Sequence, residues 1–460
     1  MNRIKVILVF VLLLMLVACG GEPAPGVEEQ VGESTVETAA PSPTEPAATP
    51  TLAPLPSPMI ETDETGDEAP ETGETVGEAA PEGEEVVAEP APPEPLFPWP
   101  EDRFGYGVQV HGNATVGDPQ ATMVAVSEQL GMDWVKVQLK WPVVHPSPEA
   151  DQWFFYDGVV DEAHEQGLNL LLSVVGAPEW TRAQGGENGP PDDFSQYAAF
   201  LDELLTRYEG KVHAIEVWNE QNLDREWKTP QGLSPESYVE FLRVARETIK
   251  AHDPNIIVIS GALSPTGVHD AVTSFDDFLY MDQLLAAGML DYADCVGAHH
   301  NGYNVPPDAG VGALLSLPEA QTAQYRGPFG PPFDDEGNPH HSWSFKTTLD
   351  VYAEKVQAVD PDMKLCVTEF GWASSEGYEV APEGFGFALD NTLEEQGQYI
   401  VQAFQQMHDT GDVWLAFLFN FDFGNKGSGP QDDTVPYSIV DLNGIPRPAF
   451  GALADMEKVP

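Results

Sequence analysis

Residues 212–222 read Val-His-Ala-Ile-Glu-Val-Trp-Asn-Glu-Gln-Asn, an apolar run of strand length that turns polar at its C-terminal end. Upstream, Phe194–Tyr208 places Phe200, Leu201, Leu204 and Leu205 on one helical face. Downstream, Tyr238–Ala251 is a second helical pattern, opened by Ser234-Pro235-Glu236, a favourable helix start. A buried strand thus lies between two amphipathic helices, which is the repeating unit of a sheet covered by helices.

Working outward, the alternation recurs until there are eight strands. They are predicted at Phe104–His111, Trp134–Trp141, Asn169–Ala177, Val212–Trp218, Ile256–Leu263, Cys295–His300, Lys364–Phe370 and Val413–Phe421. Their near-continuous apolar character marks strands covered on both faces. Leu393–Met407 is a further helix, and Phe450–Met456 follows Pro446 and Pro448 as the last. Eight β-then-α units predict an α/β protein with a (β/α)8 TIM barrel over residues 97–460. A doubly wound open sheet is the alternative. Against it, Gly105-Tyr106-Gly107 lies within the first strand and opens no helix, so there is no phosphate-binding turn. Two long loops, 304–343 and 423–446, follow strand C-termini, where a barrel of this kind carries its active site.

The barrel is preceded by two segments of different composition. Residues 1–19 have a basic start (Arg3, Lys5), an apolar run from Val6 to Val17, and then Ala18-Cys19. The run is too short to span a bilayer, which needs ~20 residues, and reads as a secretory signal. Leu16-Val17-Ala18-Cys19 resembles the bacterial lipobox, which implies lipidation of Cys19 and an extracytoplasmic, membrane-anchored protein at the cell surface or envelope. Residues 20–96 hold nineteen Asp and Glu and no Lys or Arg, among Pro, Thr, Ala and Gly. Such a segment buries too little apolar surface to offset its ordering entropy, and is expected to be a disordered acidic linker.

Of the net charge of −55, the linker supplies −19, and residues 97–460 still carry about −38. A nucleic-acid partner is excluded, because phosphate contacts require Lys and Arg. A polyanionic substrate is disfavoured on the same ground unless a local basic pocket overrides the mean. Besides Cys19 there are two cysteines, Cys295 and Cys366. Cys295 shares a strand face with His299, whereas Cys366 is opposite in parity to Glu369. By alternation they should point to different sides of the wall and form no disulfide.

The chemistry concentrates at two strand ends. The fourth strand runs into Trp218-Asn219-Glu220, and the seventh into Thr368-Glu369-Phe370-Gly371-Trp372. Strands four and seven face one another across a barrel, so Glu220 and Glu369 are held over one mouth. Paired carboxylates are the equipment for cleaving a glycosidic bond.

This combination resembles the large clan of retaining glycoside hydrolases that includes cellulases, mannanases and β-xylosidases, with families 39 and 5 nearest in motif. The resemblance spans residues 100–458. It implies Glu220 as acid/base, Asn219 as a partner of the sugar 2-hydroxyl, Glu369 as nucleophile, and carboxylates ~5–5.5 Å apart. It also implies a β-linked polysaccharide or oligosaccharide as substrate, double displacement through a glycosyl ester, no cofactor and no metal. The chain is expected to act as a monomer. Glu220 must be protonated when substrate arrives and Glu369 ionised.

Around the pair, His299 resembles a substrate-side His of the clan, and Tyr303 a Tyr that steadies the nucleophile. His299 and His300 are adjacent on a strand and face opposite ways, which argues against joint chelation. Lys136 stands where clan members often carry an inward Arg. It shares a face with Gln138 and with Lys140, which reaches toward substrate hydroxyls. Trp141, Trp180, Trp218 and Trp372 fall at strand C-termini as candidate platforms for pyranose faces, and His111 ends the first strand. Many clan members end strand eight with Trp. Here Phe419-Asn420-Phe421-Asp422 stands in its place, with a Phe platform or the Asn420 amide as the candidate sugar contact. A non-catalytic glycan-binding lipoprotein and a transglycosylase using the same residues are the alternative functions.

Overall fold

The computed structural model describes residues 94–186, 188–317 and 340–459. The expected signal segment, Cys19, nearly all of the acidic linker and the middle of loop 304–343 lie outside the described residues.

Eight strands form one parallel sheet: β1 (Gly105–Val110), β2 (Trp134–Lys140), β3 (Asn169–Val175), β4 (Ala214–Val217), β5 (Ile257–Ser260), β6 (Val296–Gly302), β7 (Leu365–Trp372) and β8 (Val413–Leu418). Their order is β5-β4-β3-β2-β1-β8-β7-β6. The remaining seam, β5 to β6, is stitched by the parallel bridges Ile259↔Cys295 and Leu263↔Ala298, and the sheet is a nearly closed barrel. A helix follows each strand: α1 (Pro119–Val124), α2 (Phe154–Glu165), α3 (Phe194–Arg207), α4 (Pro235–His252), α5 (Asp277–Ala286), α6 (Phe345–Gln357), α7 (Leu393–Thr410) and α8 (Pro448–Asp455).

Local signals set the helix ends. Asp193, Ser234 and Ser344 cap α3, α4 and α6 through side-chain oxygens that accept backbone N–H groups. Thr392 and Glu395 form a reciprocal capping box at α7, which ends at Gly411 with φ 74°. Each such N-cap stabilises its helix by ~1 kcal/mol.

The outward residues of the strands pack against the helices in a single extended core. Inside the barrel an apolar floor contains Trp134, Leu171, Ile257, Leu415 and Phe417. Cys295 and Cys366 belong to that floor and are joined in a disulfide, with Cα atoms 5.9 Å apart. This corrects the expectation that they face apart. The parity argument assumed an unbroken two-residue alternation along β7. The β6–β7 register instead slips, pairing Ala298 with Val367 but His299 with Glu369, so that Thr368 is skipped. With this bulge, Cys366 and Glu369 both face the interior despite their odd spacing.

Candidate active site

Above the floor the barrel interior turns polar. Lys136 of β2 is fully buried and lies 3.2 Å from Glu216 Oε2 and 3.1 Å from Glu369 Oε1. Its Nζ also donates to the Thr368 carbonyl at 3.1 Å. Thr368 Oγ1 donates to Glu216 Oε1 at 2.6 Å. Burial works against the Lys136 charge, but Glu216 and Glu369 outweigh it and raise the lysine above its ordinary value. Burial likewise pushes the Glu216 carboxyl up, and Lys136, His299 and the Thr368 hydroxyl more than reverse this. One cation thus underlies two carboxylates, and the upper one, Glu369, faces the mouth.

Glu220 sits just beyond β4 on a turn that bends twice into the left-handed region, at Trp218 (φ 80°) and Glu220 (φ 41°). Such backbone is uncommon for non-glycine residues and persists where the surroundings over-determine it. Here the Glu220 N–H donates to Ala262 O at 2.9 Å, Gln221 Nε2 to Gly261 O at 2.8 Å, and Asn222 Nδ2 to Ser264 O at 2.8 Å. A Cβ at Gly261 would lie 2.5 Å from Gln221 Oε1 and 2.8 Å from Val217 O, so a larger residue there would displace the turn.

Glu220 and Glu369 line one cavity of about 430 Å³ at the C-terminal end of the barrel. His299 joins them: its Nδ1 is 3.3 Å from Glu220 Oε1 and 3.9 Å from Glu369 Oε2. The nearest carboxylate oxygens therefore lie no farther apart than those two distances end to end. Burial lowers the His299 imidazole, but the Glu369 charge and the Glu220 contact overcome this and raise it. Burial alone would push the Glu220 carboxyl up. The His299 hydrogen bond and the guanidinium of Arg225, 2.7 Å from Glu220 Oε2, instead hold it at about 2. Glu226 behaves oppositely: burial and the Glu220 charge push its carboxyl up to about 7, against Arg225 and Lys140.

Of the residues singled out from sequence, Asn219, Glu220, His299, Tyr303, Lys140 and Glu369 line this cavity. Gln138 lines it as well, which fits a common face for Lys136, Gln138 and Lys140. The tryptophans do not line it. Trp141 begins a short helix after β2, is buried, and stacks on Phe200 of α3 with ring centroids 5.0 Å apart. Trp180 is outside the cavity, edge-on to Trp141, with its Nε1 donating to His145 O. Trp218 is buried against Trp227 and donates to Glu226 O. Trp372 shares the outward face of β7 with Phe370 and packs between Phe345 of α6 and Tyr399 of α7. Trp141, Trp218 and Trp372 are covered by the loop or helix that follows their strand, whereas Trp180 stays exposed. His111 also lies outside the cavity, its ring against Phe423 at 5.1 Å. Asn420 is buried beneath the rim: it donates to Thr434 O and accepts from Phe423 N, positioning two residues that do line the cavity.

Phe385, Phe419, Phe423 and Tyr437 form an aromatic wall. A Phe platform is expected at the end of strand eight, where Phe419 stands; sequence reasoning missed Phe385, Phe423 and Tyr437. It also missed Gln109, Arg225, Glu226, His300, Asn301 and Asp433. Half of these ten residues lie after β7 and β8, in loops with no periodicity to read. Parity along β1 could have found Gln109, the polar residue of an otherwise apolar strand. Gln109 Oε1 and Asn301 Oδ1 are buried in the cavity wall without protein hydrogen-bond partners.

No protein-family model matches this chain, and no curated protein matches it. Solved structures do. A monomeric beta-xylosidase from Caulobacter crescentus CB15 is similar with a TM-score of 0.52 at 17% identity, covering 80% of this chain and 69% of that one. The GH39 enzyme from Xanthomonas axonopodis pv. citri has a TM-score of 0.50 at 18% identity, covering 79% and 67%. A glucosidase from Croceicoccus marinus has a TM-score of 0.51 at 16% identity, covering 77% and 65%. At these identities the likeness establishes the barrel fold.

Proposed function

We propose that the protein is a retaining glycoside hydrolase that cleaves β-linked neutral polysaccharide or oligosaccharide. The observation that carries this reading is that Glu220 and Glu369 line one cavity with the same imidazole nitrogen 3.3 Å from the first and 3.9 Å from the second. Similar barrels from an enzyme described as a beta-xylosidase and another described as a glucosidase support the same class. The cavity wall fits a polyol: aromatic rings offer faces to the sugar ring, and Gln109 and Asn301 offer unpaired polar atoms to its hydroxyls.

In the first half-reaction Glu369 attacks the anomeric carbon while Glu220 gives its proton to the departing oxygen. The glycosyl–Glu369 ester forms as the glycosidic bond breaks. In the second, Glu220 takes a proton from water, whose oxygen attacks the same carbon and releases Glu369. Lys136 beneath Glu369 balances its charge before attack and after release. Asn219, which lines the cavity beside Glu220, is the residue this reading assigns to the 2-hydroxyl.

The test is a panel of aryl β-glycosides, starting with xylosides and glucosides, and neutral polysaccharides with a reducing-sugar readout. A 2-deoxy-2-fluoro glycoside should leave a mass label on the peptide carrying Glu369. Glu369→Ala should abolish turnover, and Glu220→Ala should be rescued by azide on activated substrates. Binding without turnover or label would instead identify a glycan-capturing protein, and glycosyl transfer to excess acceptor a transglycosylase.

We further propose that the chain is exported and held to the envelope through lipidated Cys19, with residues 20–96 as a tether. The lipobox-like Leu16-Val17-Ala18-Cys19 supports this, as does the Cys295–Cys366 disulfide, which suits an oxidising compartment. Cys19→Ser should abolish incorporation of labelled palmitate and move the protein out of the membrane fraction.

A further inference from the structure

Both oxygens of Glu220 have partners in the resting site: Oε1 faces His299 at 3.3 Å and Oε2 faces Arg225 Nη2 at 2.7 Å. A carboxylate accepts both contacts, whereas an acid would direct its proton at His299 from Oε1 or at Arg225 from Oε2, and not at a leaving group. If Oε2 carried the proton, it and the guanidinium would be two donors pointing at each other. For Oε2 to present a proton to a leaving group, Arg225 must move.

Its next partner is already adjacent. Arg225 Nε lies 3.8 Å from Glu226 Oε1, and the Arg225 side chain is 48% exposed. Both residues are on the turn that follows Glu220, and both line the cavity. The charged groups around the turn come from several elements. Lys140 at the end of β2 and Glu369 on β7 act on Glu226, His299 on β6 acts on Glu220, and Asp433 in the loop after β8 acts on Arg225.

We propose that Arg225 and Glu226 form a charge-exchange device: as substrate enters, Arg225 passes from Glu220 to Glu226 while a proton passes from Glu226 to Glu220. The O–H bond on Glu226 breaks and one on Glu220 forms. Arg225 keeps its charge, one carboxylate replaces the other, and the net charge of the three groups is unchanged. In the resting site Arg225 lies 2.7 Å from Glu220 but 3.8 Å from Glu226, and burial with the Glu220 charge pushes the Glu226 carboxyl up. After the exchange the proton stands where the leaving oxygen arrives. Glu226 and Arg225 act through Glu220 and are positioning residues.

This inference rests on Glu220 being the acid/base, and its test separates the two. The ratio of kcat/KM for a phenyl β-glycoside to that for the matching 2,4-dinitrophenyl β-glycoside is measured against pH. The first leaving group needs a proton and the second does not. Glu226→Gln keeps the shape of the protonated side chain but stores no transferable proton. It should lower the phenyl-to-dinitrophenyl ratio at pH 7 at least tenfold and move the basic limb of the phenyl profile down by more than one pH unit. Adding Arg225→Leu removes the cation that keeps Glu220 ionised and should move that limb back up. Glu226→Asp, which restores a carboxyl, should recover part of the ratio. A purely structural role for Glu226 would depress both substrates alike and leave the limb in place. A basic limb that coincides in wild type and Glu226→Gln, or a double variant no better than the single, overturns the exchange while leaving Glu220 as acid/base. If Glu220→Ala leaves the ratio unchanged, the assignment of Glu220 fails and the exchange fails with it.

Discussion

Lys136→Met tests the charge layer beneath the cavity. Methionine approximates the lysine stem, so the variant mainly removes the ammonium that faces Glu216 at 3.2 Å and Glu369 at 3.1 Å. Glu216 is fully buried, and burial alone pushes its carboxyl up. Without Lys136 it should fold as the neutral acid. In the wild type its folded pKa is depressed, so its contribution to stability is present at neutral pH and is lost only as pH falls through the folded value. In the variant the folded pKa lies above the unfolded one. Stability should then grow as pH falls toward the unfolded value and decline as pH rises. Lys136 itself has a raised folded pKa, so its stabilisation is complete below ~10.4 and adds no slope between pH 4.5 and 7.5. Holding a proton on a glutamate of unfolded pKa ~4.3 at pH 7 costs ~2.7 pH units at ~1.4 kcal/mol each, or ~4 kcal/mol. That agrees with the ~3–5 kcal/mol usual for breaking a buried ion pair. A domain of roughly 365 residues has an unfolding entropy of about 0.8 kcal/mol/K, so Tm should fall by ~5 °C near pH 7. Differential scanning calorimetry of both proteins at pH 4.5 and 7.5 measures this. A deficit equal at both pH values, or larger at pH 4.5, refutes the reasoning.

Replacing Cys295 and Cys366 together by Ala removes a cross-link across a sequence separation of 71. The chain-entropy relation gives a loss of ~4 kcal/mol, read as a lower urea midpoint; an unchanged midpoint would mean that the floor packs equally well without the bond. Gly371→Ala brings a Cβ to 2.3 Å from Phe419 O, a backbone atom that cannot swing aside. It should shift the β7–β8 edge that carries Phe419 into the cavity and lower kcat/KM at least tenfold on any substrate found. Full activity would show that Phe419 is not held by that contact.

The fold was legible because strand and helix periods differ and each of the eight strands is covered on both faces. Strand ends agree with expectation to within a few residues: the eighth, expected to run to Phe421, ends at Leu418. Glu220 and Glu369 were legible for the same reason, since position at a strand's C-terminal end says which way a residue faces the mouth. Parity served well along the regular β2, where Gln138 and Lys140 both reach the cavity. It failed along β7, where one skipped residue reversed the face of everything from Glu369 onward. The tryptophans misled for a different reason. An aromatic ring at a strand end suits a sugar and a helix equally well, and only the path of the next loop decides between them. That path depends on contacts such as Trp372 Nε1 to Val305 O at 2.9 Å, between residues far apart in sequence.

The bulge at Thr368 connects the structural and chemical features of the barrel. An uninterrupted β7 that sent Glu369 into the cavity would turn Thr368 and Cys366 outward. The disulfide would then lose one sulfur, and Glu216 its hydroxyl partner at 2.6 Å. With the bulge, three levels of the interior are filled from one strand: Cys366 in the floor, Thr368 in the charge layer and Glu369 at the mouth. Lys136 reaches two of those levels, bonding the Thr368 carbonyl and the Glu369 carboxylate with the same nitrogen. A buried lysine with two carboxylates is a poor source of net stability, since an apolar layer of the same volume does as well or better. Its presence is better explained by what it holds: a carboxylate fixed in orientation and charge-balanced, 3.9 Å from the imidazole that also touches Glu220.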